Sequence, residues 1–427
     1  MQRVYRERAA WHNWIADWDN LDVVLILLVS GLTFFGGLAI QSTEVSQKLG
    51  FAGHCWQHWL LGIFGVGLAL FIARCRYEVL IQWHWVIYGL TNASLLAIKL
   101  GFGVNVNGSD RWLNILGFNV QPSEFAKVGL IITLAALLHT RPASTLPGIF
   151  RTLAIMSVPW VLVFSQPDLG TSLVFAAIAI GMLYWANAHP GWLVLMIGPL
   201  GSAITYGLSK PIWAGWIGVM VLVAWFSLPS PWKRLGAILV MVGNGIFGFL
   251  GQYFWTKVLE PYQKARLTLF LAPENDPLGG GYHLIQSRIA IGAGQLWGRG
   301  PFQGTQTQLD FIPEQHTDFI FSAVGEELGF IGSIALLIVF WLIALRLIII
   351  AQNAKENFGS LLAIGVLSMI VFQVVINISM TIGLAPITGL PLPWMSYGRS
   401  ALLTNFIALG LVESVANHRP RMMNFRR

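Results

Sequence analysis

Apolar residues gather in long runs, and polar and charged residues are confined to the stretches between them. A bilayer core of about 30 Å needs roughly 20 apolar residues per helix at a rise of about 1.5 Å each. Runs near that length, some of them short, lie at 21 to 40, 56 to 73, 81 to 100, 123 to 139, 149 to 165, 170 to 187, 191 to 208, 211 to 228, 235 to 255, 320 to 345, 360 to 383 and 400 to 416. The pattern is weakest at 170 to 187 and in the two runs between 191 and 228. The expected fold class is therefore all-α, a polytopic transmembrane helix bundle of 10 to 12 spanning helices forming a single membrane domain over residues 1–427.

Composition agrees, with 55% hydrophobic and 11% charged residues. Orientation follows from placing Lys and Arg in the cytoplasm. Arg3, Arg6 and Arg8 precede the first run; alternate loops carry Arg74 and Arg76, Arg141 and Arg151, Lys233 and Arg234, then Arg346 and Lys355; the tail adds Arg419, Arg421, Arg426 and Arg427. Both termini are predicted to be cytoplasmic, in the cytoplasmic membrane, and the first run is read as a retained helix because no small-residue cleavage site follows it. The net charge of +7 is then a topology signal and a contact with anionic membrane lipid, with no role for nucleic acid. Cys55 and Cys75 fall at opposite ends of the second run, more than about 25 Å apart, too far for a disulfide.

One long segment differs in character. Residues 257–318 are polar and Gly-rich, and the charge rule makes them a large extracytoplasmic loop. Interleaved Tyr262, Phe270, Tyr282 and Trp297 predict that it rests against the membrane or the bundle. Two shorter outer loops, Gly101 to Gln121 and Leu384 to Arg399, are also polar, and the Pro and Gly of the second predict irregular or re-entrant backbone.

Candidate chemistry concentrates where the long loop enters a helix, Pro313-Glu314-Gln315-His316-Thr317-Asp318-Phe319. If Pro313 starts a helix, Glu314 and Asp318 share a face at i, i+4, an arrangement that can hold a proton-accepting carboxylate beside a second acid. The same spacing suits Asp318 as a simple cap on the following helix. Glu326 and Glu327, two turns further on, would be costly in the membrane unless paired with a cation or facing a cavity. Lys127 can pair locally with Glu124 at i, i+3, or face a diphosphate; Asp168 suits a turn or a site equally. Arg111, Lys264, Arg266, Arg288 and Arg299 are the outer cations available to an anionic group. The glycines at 279–281, 292 and 294 match no nucleotide-binding fingerprint, so no nucleotide is expected.

The runs Gln121-Pro122-Ser123-Glu124-Phe125-Ala126-Lys127, Gln166-Pro167-Asp168-Leu169-Gly170-Thr171, Gly281-Tyr282-His283-Leu284-Ile285-Gln286-Ser287, Gly304-Thr305-Gln306-Thr307-Gln308-Leu309 and Pro313 to Phe321 carry a resemblance. In order and over nearly the whole chain, they resemble the SEDS family of shape, elongation, division and sporulation proteins, nearer its RodA than its FtsW members. The resemblance implies a peptidoglycan glycosyltransferase that polymerises lipid II into β-1,4-linked glycan on the outer membrane face during cell elongation. It implies Asp318 as the catalytic base, with Glu314 tuning it, and an inverting reaction that releases undecaprenyl diphosphate. Arg111, Lys127, Arg266 and Arg288 are the candidates for holding diphosphate, with Gln286, His316 and Ser396 completing the substrate-binding set. A Mg2+ or Mn2+ ion is a candidate helper. The implied partners are lipid II, the nascent glycan strand, a class B penicillin-binding protein and an elongation complex. Two features depart from the family. Ten helices are usual there, so an inserted helical hairpin is expected at about 205–250, and Arg399 stands where the family commonly has glycine. A flippase for the lipid-linked precursor is the alternative function, and an inert scaffold for a transpeptidase the third.

Overall fold

The computed structural model describes residues 20–44, 53–106, 109–115, 117–166, 168–259, 264, 268–277, 279, 281–309 and 311–419. Each apolar run forms a helix: α1 (Val23–Thr43), α2 (His54–Arg74), α3 (Leu80–Ala97), α4 (Pro122–Thr140), α5 (Leu146–Phe164), α6 (Leu169–Trp185), α7 (Pro190–Leu208), α8 (Lys210–Ser227) and α9 (Lys233–Tyr253). After the long loop, which contains α10 (Tyr282–Gly294) and the single turn α11 (Thr305–Gln308), come α12 (Ile320–Gln352), α13 (Asn357–Ile382) and α14 (Arg399–Asn417). Among the described residues, 11 helices are long and apolar enough to cross a membrane; α6, at 17 residues, is the short one. The molecule is a multi-pass membrane helix bundle.

The inner ends of α1, α2, α12 and α14 are tied together, which places the start and the end of the described chain on one side. Asp22 caps α1 by accepting from Leu25 N (3.1 Å) and also takes Arg346 Nε of α12 (2.9 Å). Its own amide donates to Glu413 of α14 (2.9 Å), and Asn417 binds both the Asn20 amide (3.2 Å) and the Ala73 carbonyl (3.2 Å). With Arg419, Arg346 and Arg74 at this end, it is the cytoplasmic face. Cys55 and Cys75 are both free.

Helices α4, α13 and α14 are the most enclosed, and α7, α8 and α9 pack chiefly on one another. Residues 205–250 comprise the end of α7, all of α8 and most of α9. The indoles of Trp213 and Trp216 on α8 bind Ser202 Oγ (2.9 Å) and the Gly198 carbonyl (2.9 Å) of α7.

The outer side holds two features that the hydropathy pattern did not reveal. The loop after α3 is a three-stranded antiparallel sheet, β1 (Val104–Val106), β2 (Ser109–Ile115) and β3 (Phe118–Val120). Its β2–β3 hairpin turns at Gly117, whose φ of +87° favours glycine. The second feature is a break in α12. Gly329 has φ 65° and ψ −161°, which interrupts the helical ladder. The segment 295–300 docks into the break: Arg299 and Gly300 amides donate to the carbonyls of Glu326 and Glu327 (both 3.0 Å), and the amides of Phe330 and Ile331 donate to Gln295 (2.8 Å) and Leu296 (3.1 Å). Every one of those backbone groups would otherwise be orphaned, so the loop and the helix break stabilise each other. Residues 330–352 alone cover about 34 Å, enough to span, so Ile320–Leu328 forms a separate outer segment.

That docking needs small residues. A Cβ on Gly294 would collide with the Gly325 carbonyl, and one on Gly298 with that of Glu327. Gly294→Ala is expected to lose about 1–3 kcal/mol through forced backbone displacement, read as a lowered thermal midpoint of the purified protein. An unchanged midpoint would show that α10 is not packed this tightly.

Candidate functional site

The site begins with the seven residues before α12. They form a chain of turns instead of the helix expected from Pro313, and Glu314 has a left-handed φ of +54°. Tertiary bonds hold this shape. Gln315 Nε2 donates to the carbonyls of Thr43 (3.1 Å) and Thr307 (3.0 Å), and the His316 carbonyl accepts from Tyr397 N (2.9 Å). The Asp318 amide donates to the Glu314 carbonyl (3.2 Å).

Asp318 is half-buried between this turn and the loop joining α13 to α14. Asn377 Nδ2, on α13, donates to the carbonyls of Asp318 (2.9 Å) and Leu390 (2.7 Å), pinning the two loops together. A Cβ built on Gly389 would lie 3.5 Å from Asp318 Oδ2, so the carboxylate faces bare backbone there. On the far side of that backbone, a Cβ on Gly170 would lie 2.6 Å from the Thr388 carbonyl, which brings the start of α6 into the same neighbourhood. Asp168 caps α6, accepting from Thr171 N (3.1 Å) and Oγ1 (3.0 Å); Arg111 of β2 approaches it at 3.8 Å. The sequence runs around 111, 168, 318 and 389, far apart along the chain, thus meet at the outer end of the bundle.

His316 lies beside Asp318 in the chain, and its ring stacks on His54 at 4.7 Å, with the Tyr397 ring tilted 5.9 Å away. Glu44 fixes His54, accepting from its backbone amide (2.8 Å) and meeting Nδ1 (2.5 Å). Tyr397 OH donates to Gln57 Oε1 (2.6 Å). Burial pushes the Tyr397 phenol above its usual range, with Arg399 opposing and Glu44 adding to the shift, so it stays a protonated donor at neutral pH.

Several expectations change. Lys127 is fully buried and its ammonium meets both oxygens of Glu124 at 2.8 Å, so the local pair accounts for it and a diphosphate role does not fit its enclosure. Ser396 is buried, with its hydroxyl accepting from Leu392 N (2.9 Å) to close its own turn, which leaves it no substrate-facing role. Glu314 is exposed and its carboxylate accepts from Thr317 Oγ1 (3.3 Å), so the shared helical face with Asp318 is absent. Among the described residues neither Glu326 nor Glu327 pairs with a cation. Glu326 accepts from the amides of Gln306 and Thr307 (both 2.9 Å) and from Thr307 Oγ1 (2.7 Å), while Glu327 accepts from Ser42. Arg288 is exposed on α10, and its Nη2 binds the Gly383 carbonyl (3.1 Å) at the negative end of α13. Gln286 is half-buried on α10, Arg399 is exposed at the start of α14, and Arg266 lies outside the described residues.

Among the described residues no three His, Cys, Asp or Glu side chains converge to hold a metal ion. Asn377 was not anticipated; its signal was a carboxamide inside an otherwise apolar run, where burial demands partners.

A family of cell cycle proteins grouping FtsW, RodA and SpoVE matches residues 22–214 and 208–421. The peptidoglycan glycosyltransferase MrdB of Escherichia coli K12 is 32% identical over 408 residues, covering 94% of this chain and 95% of that one. The peptidoglycan glycosyltransferase RodA of Treponema pallidum is 33% identical, covering 93% and 98%. Among solved structures, a chain of a peptidoglycan synthase complex that coordinates polymerization and crosslinking superposes with a TM-score of 0.68 at 25% identity, covering 94% of this chain and 99% of that one. Thermus thermophilus RodA shares the fold, with a TM-score of 0.60 at 24% identity over 95% of this chain and 99% of that one. By matches that run from α1 to α14, the chain belongs to the FtsW, RodA and SpoVE family.

Proposed function

We infer that this chain is a peptidoglycan glycosyltransferase of the cytoplasmic membrane, of the RodA type, working in cell elongation and shape maintenance. Two peptidoglycan glycosyltransferases similar over more than nine-tenths of the chain support that reading. The observation that carries the chemistry is the half-buried Asp318 carboxylate, set against the Gly389 backbone at the outer end of the bundle.

In the proposed reaction, the 4-hydroxyl of the acceptor sugar gives its proton to the Asp318 carboxylate. The hydroxyl oxygen forms the new bond to C1 of the donor, which is linked to undecaprenyl diphosphate. The C1–O bond to the diphosphate breaks, its electron pair leaving on undecaprenyl diphosphate, and the configuration at C1 inverts. A diphosphate is a good enough leaving group to need no acid, but its developing charge needs cations. Arg111 and Arg288, on the outer side and not buried, are offered for that part, with Arg266 as a third. Gln286 and His316 remain candidates for contacts to the sugars. Similarity to a chain of a synthase complex supports a crosslinking partner, for which we propose a class B penicillin-binding protein.

Purified protein with that partner, given lipid II, is expected to yield glycan strands resolved on a gel. Movement of lipid II between leaflets of liposomes, with no polymer under any partner condition, would replace this reading by a flippase.

A further inference from the structure

Two clefts lie at the opposite, cytoplasmic end of the molecule, far along α6 from Asp168. The larger, about 710 Å³, is walled by Tyr184, Trp185, Asn187, His189 and Trp192 with Ser144. The smaller, about 380 Å³, runs between α7 and α8 and is lined by Val219, Leu222, Val223 and Phe226. His189 lines both, so the clefts adjoin. One is aromatic and polar at the level of the helix ends; the other is apolar and faces into the bilayer span. A molecule with a polar head and a hydrocarbon tail matches that order.

The walls are fixed in advance. Trp185 Nε1 donates to Ser360 Oγ (2.7 Å) and Trp192 Nε1 to the Ser227 carbonyl (3.1 Å), which sets both indole planes. His189 Nδ1 accepts from Gly191 N (3.1 Å), leaving Nε2–H as the donor of the neutral ring.

Charge selects among amphiphiles. Between Glu124 and Glu260 the sequence holds a single carboxylate, Asp168, which lies at the outer end of α6. The cytoplasmic loops around the clefts carry cations instead. The Ala143 amide donates to the Ala186 carbonyl (3.2 Å), binding the loop of Arg141 to the loop that forms the larger cleft. Arg151 Nη2 donates to the Arg141 carbonyl (3.2 Å), which adds a second guanidinium there. On the other flank, Lys233 and Arg234 follow the 228–232 turn, next to the Ser227 carbonyl that Trp192 holds. Arg141, Arg151, Lys233 and Arg234 outnumber the one carboxylate near this wall, Glu356, whose carbonyl accepts from Ser360 N (3.1 Å), and a cationic inner surface beside an aromatic wall favours a phosphodiester headgroup.

We propose that these joined clefts bind an anionic phospholipid of the cytoplasmic leaflet, its phosphate in the aromatic cleft and one acyl chain along Val219, Leu222 and Val223. The site is separate from the outer chemistry and does not depend on the identity of the reaction there.

Native mass spectrometry of the purified protein, titrated with dioleoyl phosphatidylglycerol or dioleoyl phosphatidylethanolamine, tests this. The parent is expected to retain one phosphatidylglycerol at about tenfold lower lipid concentration than phosphatidylethanolamine. An R141Q/K233Q/R234Q variant should lose the preference, and Val223→Trp, which fills the apolar cleft and leaves the charges, should weaken retention of both lipids. A phosphatidylglycerol with a photoreactive acyl chain should label residues 219–227. Equal retention of the two lipids by the parent, a preference unchanged in R141Q/K233Q/R234Q, retention unchanged in Val223→Trp, labelling confined to other helices, or displacement by an equimolar polyprenyl phosphate would each overturn the proposal.

Discussion

Gly389→Val is expected to lower glycan polymerisation by about a hundredfold while the protein still folds and inserts. Two effects combine at this position. Gly389 has φ +71°, where a β-branched residue is strained, so the loop shifts to relieve it. Its Cβ position also lies 3.5 Å from Asp318 Oδ2, so added methyl groups would crowd the face of the carboxylate on which an acceptor hydroxyl must arrive. Gly101→Val is the control: φ is +94°, yet among the described residues nothing beyond its own chain neighbours lies within 4 Å of its Cβ position, so it carries the backbone penalty alone. Single-turnover polymerisation separates the two, with Gly101→Val close to the parent and Gly389→Val far below it. Equal rates for both would mean that the 388–390 backbone has no part in shaping the site.

The helical runs were legible because apolar run length is written in neighbouring residues; the i, i+3 spacing of Glu124 and Lys127 allowed their pair without choosing it over a diphosphate role, which only the enclosure of Lys127 decides. What was not legible depends on contacts made from elsewhere. The run from Ile320 to Gln352 carries Glu326 and Glu327 just before Gly329, but these acids do not announce a helix break, because the groups that satisfy it come from residues 295–300. Glu314 misses the helical face with Asp318 because Gln315 and His316 are held by Thr43, Thr307 and Tyr397, and these long-range bonds override the helix-start signal of Pro313. The strands β1 and β3 are three residues each, too short for an alternating pattern to stand out. Glu326 looked like a membrane charge in search of a cation, and instead serves as the acceptor that organises α11.

The outer site shows a division of labour among buried groups. Asn377, Gln315 and Glu326 bind backbone amides or carbonyls of loops, so they position chain segments. Asp318, Arg111 and Arg288 keep some solvent access, as groups that meet a substrate must.

The central claim is that the Asp318 carboxylate takes the proton from the acceptor hydroxyl. An asparagine keeps the size and polarity of the side chain and removes the basic oxygen, so the substitution isolates proton transfer from packing. General-base catalysis is worth about 10²–10⁴ in rate, and Asp318→Asn should fall by that factor with lipid II binding little changed. The measurement is single-turnover glycan synthesis from lipid II by purified parent and Asp318→Asn, each with the partner transpeptidase and at matched thermal stability. A loss in that range with binding retained is the result predicted here; strands made by Asp318→Asn at the parent rate would contradict the account.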